Sequence, residues 1–169
     1  STMQIPGPTL IVTAPATGTA TVTVSLTNNL PAAAGNTSIL FPGFQVSTSG
    51  GVTGLLTQEA TPAGATKTVT YTLTIPSTAA GTHSYYSGTQ GDLQVEMGLY
   101  GAIIVLPNPA NIPPVCSAGL PAANPGGNAD AKSNAGEDDF RLAAAAYNHP
   151  GACYDREYLF QFSQMDPRI

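Results

Sequence analysis

A chain of 169 residues is long enough to bury a core as one domain, and only 9% of it is charged, against about 25% in ordinary globular proteins. The net charge of −5 argues against a nucleic-acid partner, since phosphate backbones require basic surface. No run of about 18 apolar residues occurs, so no segment reads as a membrane-spanning helix.

Threonine, serine, alanine, glycine and 15 prolines stand where charge would be, a composition poor for helices and suited to short strands joined by turns. Residues 9–13 and 20–27 read as the first two strands. The second alternates Thr21, Thr23 and Ser25 with Val22, Val24 and Leu26, giving one wet and one dry face. Residues 28–31, Asn-Asn-Leu-Pro, end it in a turn. Asn36-Thr37-Ser38 fits the N-glycosylation pattern, a match that chance readily supplies. Residues 39–46 are apolar but broken by Pro42-Gly43, as suits an edge or bulged strand, and residues 50–54 form a glycine-rich tip. Residues 67–75, KTVTYTLTI, are the clearest strand, with Val69, Tyr71, Leu73 and Ile75 on one face. Residues 82–86 make another, residues 87–92 a small polar loop, and residues 100–106 a nearly unbroken apolar strand closed by Pro107. Six or seven closely spaced strands with turns between them imply an all-β, Greek-key β-sandwich.

After Pro107 the composition changes. Residues 108–114 are Pro/Asn-rich and extended, and residues 117–136 are low-complexity Ala/Gly/Asn/Pro with little to build a core from. Glu137, Asp138 and Asp139 ahead of residues 140–147 predict a two-turn helix, with acids in its first turn, an alanine run, and Asn148-His149-Pro150-Gly151 as its stop. Residues 156–164, REYLFQFSQ, predict a terminal strand with Tyr158, Phe160 and Phe162 on one side and Leu159, Gln161 and Ser163 on the other. The expected organisation is a sandwich over residues 1–107, a Pro/Gly/Ala-rich loop with a short helix over 108–153, and a terminal strand over 154–169. That strand belongs to the chain's own sheet, to a neighbouring copy, or to the start of a next domain.

The N-terminus has neither the basic nor the apolar region of a signal peptide, so a leader is absent or already removed. Two cysteines, few lysines and a Thr/Ser-rich surface favour an exported, extracellular or periplasmic protein in which Cys116 and Cys153 pair; two buried thiols are the alternative. A bridge closing a loop of that span contributes on the order of 3 kcal/mol.

Two blocks carry a family resemblance. Gly81-Thr82, Tyr85, and then Met97-Gly98-Leu99-Tyr100-Gly101-Ala102 resemble the last two strands of a cupredoxin (plastocyanin-like) domain of the multicopper oxidase family. Ile5-Pro6-Gly7-Pro8-Thr9-Leu10 and residues 22–31, VTVSLTNNLP, resemble that family's Pro-Gly-Pro-Thr strand and the strand after it. The resemblance covers roughly residues 4–107 and implies a cupredoxin-type sandwich. It departs from the family at every metal ligand. Where the coupled-copper pattern has two histidines flanking a serine, this chain has Tyr86-Ser87-Gly88. Where blue-copper cysteine, histidine and methionine would fall, it has Ser87, Gln94 and Leu99, and Ser38-Ile39-Leu40-Phe41-Pro42-Gly43 replaces the His-x-His-Gly block. The strand that opens the family's domain has no counterpart in the four residues before Ile5, whereas residues 156–164 resemble the opening strand of a following domain.

Other candidate sites are weaker. His83 shares a strand face with Tyr85, and a lone histidine there reads as a hydrogen-bonded residue. His149 sits at a helix end, where a cation meets the dipole, and its neighbour Cys153 has a use in the disulfide. Glu137, Asp138 and Asp139 lack the alternating spacing and glycine of a calcium loop. No nucleophile, base and orienter stand at a motif spacing, and Tyr85, Tyr86, Tyr100, Tyr147, Tyr154 and Tyr158 suit packing and interfaces. The chain therefore reads as a secreted, cofactor-free and copper-free cupredoxin-like domain with a structural or self-assembly role. Its expected partner is a second copy; the terminal strand, through Tyr158, Leu159, Phe160 and Phe162, either folds back onto its own sheet or is exchanged with a neighbour, and exchange that does not close gives a filament. The alternative is the N-terminal portion of a laccase-like, copper-dependent oxidoreductase whose copper sites lie in other domains.

Overall fold

The computed structural model describes residues 4–112, 114–117, 142–143, 145–148, 152–154 and 157–163. Two sheets face each other. In the first, β1 (Leu10–Thr13) runs parallel to β9 (Tyr100–Leu106), β9 pairs antiparallel with β8 (Gly81–Ser87), and β8 with the two-residue β3 (Ile39–Leu40). In the second, β7 (Thr68–Pro76) lies between β2 (Thr19–Thr27) and β4 (Gln45–Gly50), antiparallel to both. A small hairpin pairs β5 (Val52–Thr53) with β6 (Gln58–Glu59). Helix α1 (Gly91–Glu96) joins β8 to β9, and α2 (Pro114–Ser117) follows the sandwich.

The threonine alternation makes the second sheet. Along β7, Val69, Tyr71, Leu73 and Ile75 are fully buried, while the intervening threonines stand on the outer face. Cross-strand hydroxyl pairs tie that outer face together, Ser25 to Thr70 at 3.4 Å and Thr27 to Thr68 at 3.0 Å. The first sheet contributes Ile39, Tyr85, Ile103 and Val105 to the same core, with Phe41 between the layers.

Two tyrosines fasten the layers. The Tyr71 hydroxyl accepts from the Ile39 N–H (3.0 Å) and donates to the Gln58 carbonyl (3.1 Å), linking β7 to β3 and β6. The Tyr85 hydroxyl donates to the Pro8 carbonyl at 2.7 Å, and Gly7 N–H donates to Tyr100 O at 2.7 Å, which seats the chain leading into β1 beside β9. Phe41 packs edge-on against Tyr71, ring centroids 5.7 Å apart, and lies 6.0 Å from Tyr85. A Cβ on Gly7 or Gly101 would lie 2.5 Å from the Tyr85 side chain, so both positions admit glycine alone.

The structure departs from the sequence expectations in five places. The apolar segment at residues 39–46 divides at Phe41–Phe44, with Phe44 N–H closing a turn onto Phe41 O, into β3 and β4. The expected tip at residues 50–54 is part of the β5–β6 hairpin, and the expected loop at residues 87–92 runs into α1. The predicted helix at residues 140–147 is not formed by its described residues: Leu142 and Ala143 are bends, and Ala145 bridges Cys153. Burial of Ala145 against Cys116 and Ile112, with Ala146 N–H donating to Ala152 O, overrides the alanine propensity. Finally, residues 157–163 form no ladder with any strand of the chain, so the expected strand is not part of its own sheet. Cys116 and Cys153 form a disulfide with Cα atoms 5.0 Å apart.

Tyr71→Phe leaves the buried Ile39 N–H and Gln58 carbonyl without a partner, and should lower unfolding free energy by about 1–3 kcal/mol in urea titration. Burial raises the Tyr71 pKa above its ordinary 10.0, against a smaller lowering from the Ile39 N–H, and burial also raises that of Tyr85. The folded state therefore holds these protons more tightly than the unfolded chain. The stability they contribute is complete below the ordinary value and is lost as pH rises through the raised one. Stability should fall above about pH 10, less steeply in Tyr71→Phe; an unchanged slope would refute the assignment.

Candidate functional site

The site is built where the copper-ligand resemblance fails. Alternation along β8 sends Tyr85 and Ser87 inward and Tyr86 outward, opposite Leu40 on one side and Tyr100 on the other. Ser87, 3% exposed, then meets Gln94, 7% exposed, which α1 projects into the same space. Gln94 Oε1 accepts from Thr37 Oγ1 at 2.9 Å, and its Nε2 donates to Asn36 O at 2.8 Å. Ser87 Oγ lies 2.7 Å from Gln94 Oε1 and 2.8 Å from Thr89 O, so its single proton serves one of them, and it accepts from Thr89 N–H at 3.1 Å.

A second branch extends the network. Ser38 Oγ and Thr89 Oγ1 share a hydrogen bond of 2.7 Å, and Thr89 Oγ1 donates to Glu59 Oε1 at 2.9 Å. Asn36 Nδ2 donates to the other carboxylate oxygen at 3.1 Å. That bond places the Asn36 amide in the network beside buried Thr37. Asn28, 2% exposed, closes the adjoining loop by donating to Gly35 O and Ala60 O.

The structure brings Ser87 and Gln94 of the four degenerate ligand positions into direct contact. Leu99 takes part through its backbone, its carbonyl accepting from Ser87 N–H at 3.0 Å and its N–H donating to Gln94 O at 2.9 Å. Tyr86 stays on the outer face, 38% exposed. Gly88, where the coupled-copper pattern would place a histidine, has no room: a Cβ there would lie 2.9 Å from both Leu40 Cγ and Ser38 Oγ. The sequence pointed to Asn36 and Thr37 only as a glycosylation pattern and to Thr89 only as part of a polar loop, and it gave no signal at Glu59.

The donors in this space are hydroxyls, amides and one carboxylate. Copper sites take imidazole, thiolate or thioether, so these residues do not fit copper and no redox step passes through them. His83 does not extend the set: its Nε2 lies 3.0 Å from Ala79 O and its ring packs 4.6 Å from Phe44. Among the described residues no group of three or more His, Cys, Asp or Glu side chains converges as a metal site. His149, Glu137, Asp138 and Asp139 lie outside the described residues.

A two-sheet sandwich closed by a parallel β1–β9 pair, with a loop-helix between β8 and β9, is a cupredoxin-type fold. The multicopper oxidase family model matches residues 2–110, most of the chain, and the chain belongs to the multicopper oxidase family. No curated protein matches it.

Gln94→Leu removes the acceptor of Thr37 and the donor to Asn36 O, and should cost about 1–3 kcal/mol by urea unfolding. Ser87→Ala should cost less, because Gln94 Oε1 keeps Thr37. Gly88→Ala should destabilise by about 1–3 kcal/mol through overpacking. A Gly88→Ala protein as stable as the parent would show that the pocket has room for a side chain.

Proposed function

We propose that this chain is a copper-free cupredoxin-type domain that acts as a structural, self-assembling unit outside the cytoplasm, and not as an oxidase. The observation that carries this reading is the Ser87–Gln94–Thr37 hydrogen-bond network, which includes two of the positions, Ser87 and Gln94, at which the sequence resemblance leads one to expect copper ligands. Its groups satisfy one another, and the space beside Gly88 is filled by Leu40 and Ser38. A disulfide and sparse charge suit an oxidising compartment. Support for assembly comes from residues 157–163, which expose Tyr158, Phe160 and Phe162 at 64%, 74% and 90% without entering a sheet. A terminal segment of that kind joins copies into a filament by exchange.

The family match favours a second reading, in which the chain is the N-terminal portion of a copper-dependent oxidoreductase with its copper in further domains. Reading the gene beyond the codon for Ile169 discriminates: His-Cys-His blocks in frame favour the enzyme.

The first reading predicts that protein incubated with excess Cu(II) or Cu(I) and then desalted retains far less than one copper per chain, and shows no thiolate-to-copper charge-transfer band. Stoichiometric retention by elemental analysis would overturn it. Light scattering against concentration tests assembly: mass rising with concentration is expected, and a monomer throughout would refute it.

A further inference from the structure

The free side of β2 differs from the other sheet edges in what it leaves uncovered. Ala20, Val22, Val24 and Leu26 stand opposite Ile75, Leu73, Tyr71 and Val69, and all eight side chains share the inward face. The four on β7 are fully buried, but the four on β2 are only half-buried. Leu10 and Val12 of β1 are likewise only partly covered. The core is thus open along one seam, lined by Leu10, Val12, Val22, Val24 and Leu26.

The backbone along that seam is open as well. Asn28 N–H donates to Lys67 O and Ser77 N–H donates to Gly18 O, which sets the phase of the antiparallel ladder. Ala20, Val22, Val24 and Leu26 exchange bonds with β7, so Thr19, Thr21, Thr23, Ser25 and Thr27 aim their N–H and C=O groups at the open side. None of those groups has a partner among the described residues. At nine residues β2 is longer than the other edge strands of the two sheets, β1 with four, β3 with two and β4 with six, and it carries neither proline nor charge to block pairing.

The complementary piece lies in the same chain. Glu157 Oε2 accepts from Leu142 N–H (3.0 Å) and Tyr154 O–H (2.9 Å), which anchors the start of the terminal segment. Beyond it the Tyr158–Phe160 and Phe160–Phe162 ring centroids are 6.5 and 6.4 Å apart, close to the ~6.6–6.8 Å repeat of alternate residues on a strand. On its own chain the segment borders the outer face of β8, sharing an open groove with Thr82, Ser84 and Tyr86, and it does not pair with β2.

Resting on the assembly reading above, we propose that the free edge of β2 is the acceptor and residues 157–163 of a second copy are the donor. The donor adds a fourth strand to the β2-β7-β4 sheet, its backbone meets the free groups of Thr19 to Thr27, and its aromatic face covers the seam. Donor and acceptor are different surfaces, so the contact is head-to-tail and propagates.

Thr23→Pro tests the acceptor, because it removes an N–H that faces the open side and leaves the β7 ladder intact. Phe160→Ser with Phe162→Ser tests the donor. Sedimentation velocity on the full chain should show species heavier than a monomer in the parent and monomer alone in each variant, with folding checked by circular dichroism and melting. A mixture of the two variants offers one donor and one acceptor, and should stop at a heterodimer. A parent and Thr23→Pro that assemble equally overturn the β2 acceptor while the assembly reading stands. A parent that stays monomeric overturns both. A variant mixture that remains monomeric overturns strand addition. Should Thr23→Pro fail to fold, a synthetic peptide of residues 157–163 added to the parent replaces it: the proposal requires that it shift assemblies toward monomer, and an unchanged profile overturns it.

Discussion

Two tyrosine hydroxyls hold this sandwich in register. Tyr71 crosses the core to the backbone at Ile39 and Gln58, and Tyr85 reaches the Pro8 carbonyl, so each sheet is fastened to an element that β-pairing alone leaves loose. Burying a phenol is favourable only when its hydroxyl is satisfied, since an orphaned polar group costs about 1–3 kcal/mol. Once those bonds exist, the rest follows sterically. Phe41 fills the space between the rings, and Gly7 and Gly101 are obligatory because Tyr85 lies where their Cβ atoms would be. The Pro-Gly-Pro and Tyr-Gly-Ala blocks, far apart in the chain, are therefore two sides of a single contact.

The same reasoning accounts for which parts of the molecule were legible. Period-two alternation identified β2 and β7 and the buried face of each, because a strand flanked by threonines has one way to hide Val69, Tyr71, Leu73 and Ile75. Short elements were not legible. β5 and β6 have two residues each, and α1 has six and follows Gln90 in a left-handed conformation, so their existence rests on tertiary contacts that no local pattern encodes. The alanine run at residues 143–146, within the helix expected over 140–147, misled for the opposite reason. Its local propensity was real, but pairing of Ala145 with Cys153 and packing on Cys116 prevailed.

The site was half legible. Knowing which positions the family reserves for ligands pointed to Ser87 and Gln94, and their contact at 2.7 Å joins two residues that no spacing rule would pair. What sequence could not show was that Thr37, Asn36, Thr89 and Glu59 complete the circuit, since Asn36, Thr37 and Glu59 lie more than 30 residues from Gln94 in the chain. A buried polar network is stabilising only when its members are mutually satisfied. Such closure needs all three segments, residues 36–38, 59 and 87–94, to be in place together.

A histidine ligand at Gly88 and the packing of Leu40 and Ser38 are alternative fillings of the same volume, since even a Cβ comes within 2.9 Å of both. Changing one residue toward the family pattern would not open a copper site. It would push Leu40 against its β8 neighbours and part Ser38 from Thr89 before any imidazole had a place to stand. The pocket is therefore committed as a unit, and its hydrogen bonds join the segment before β3 to β6, α1 and the loop after β8. With the interior closed in this way, the groups still free to act are on the surface. Along β2, among the described residues, half-buried apolar side chains and unpaired backbone run side by side.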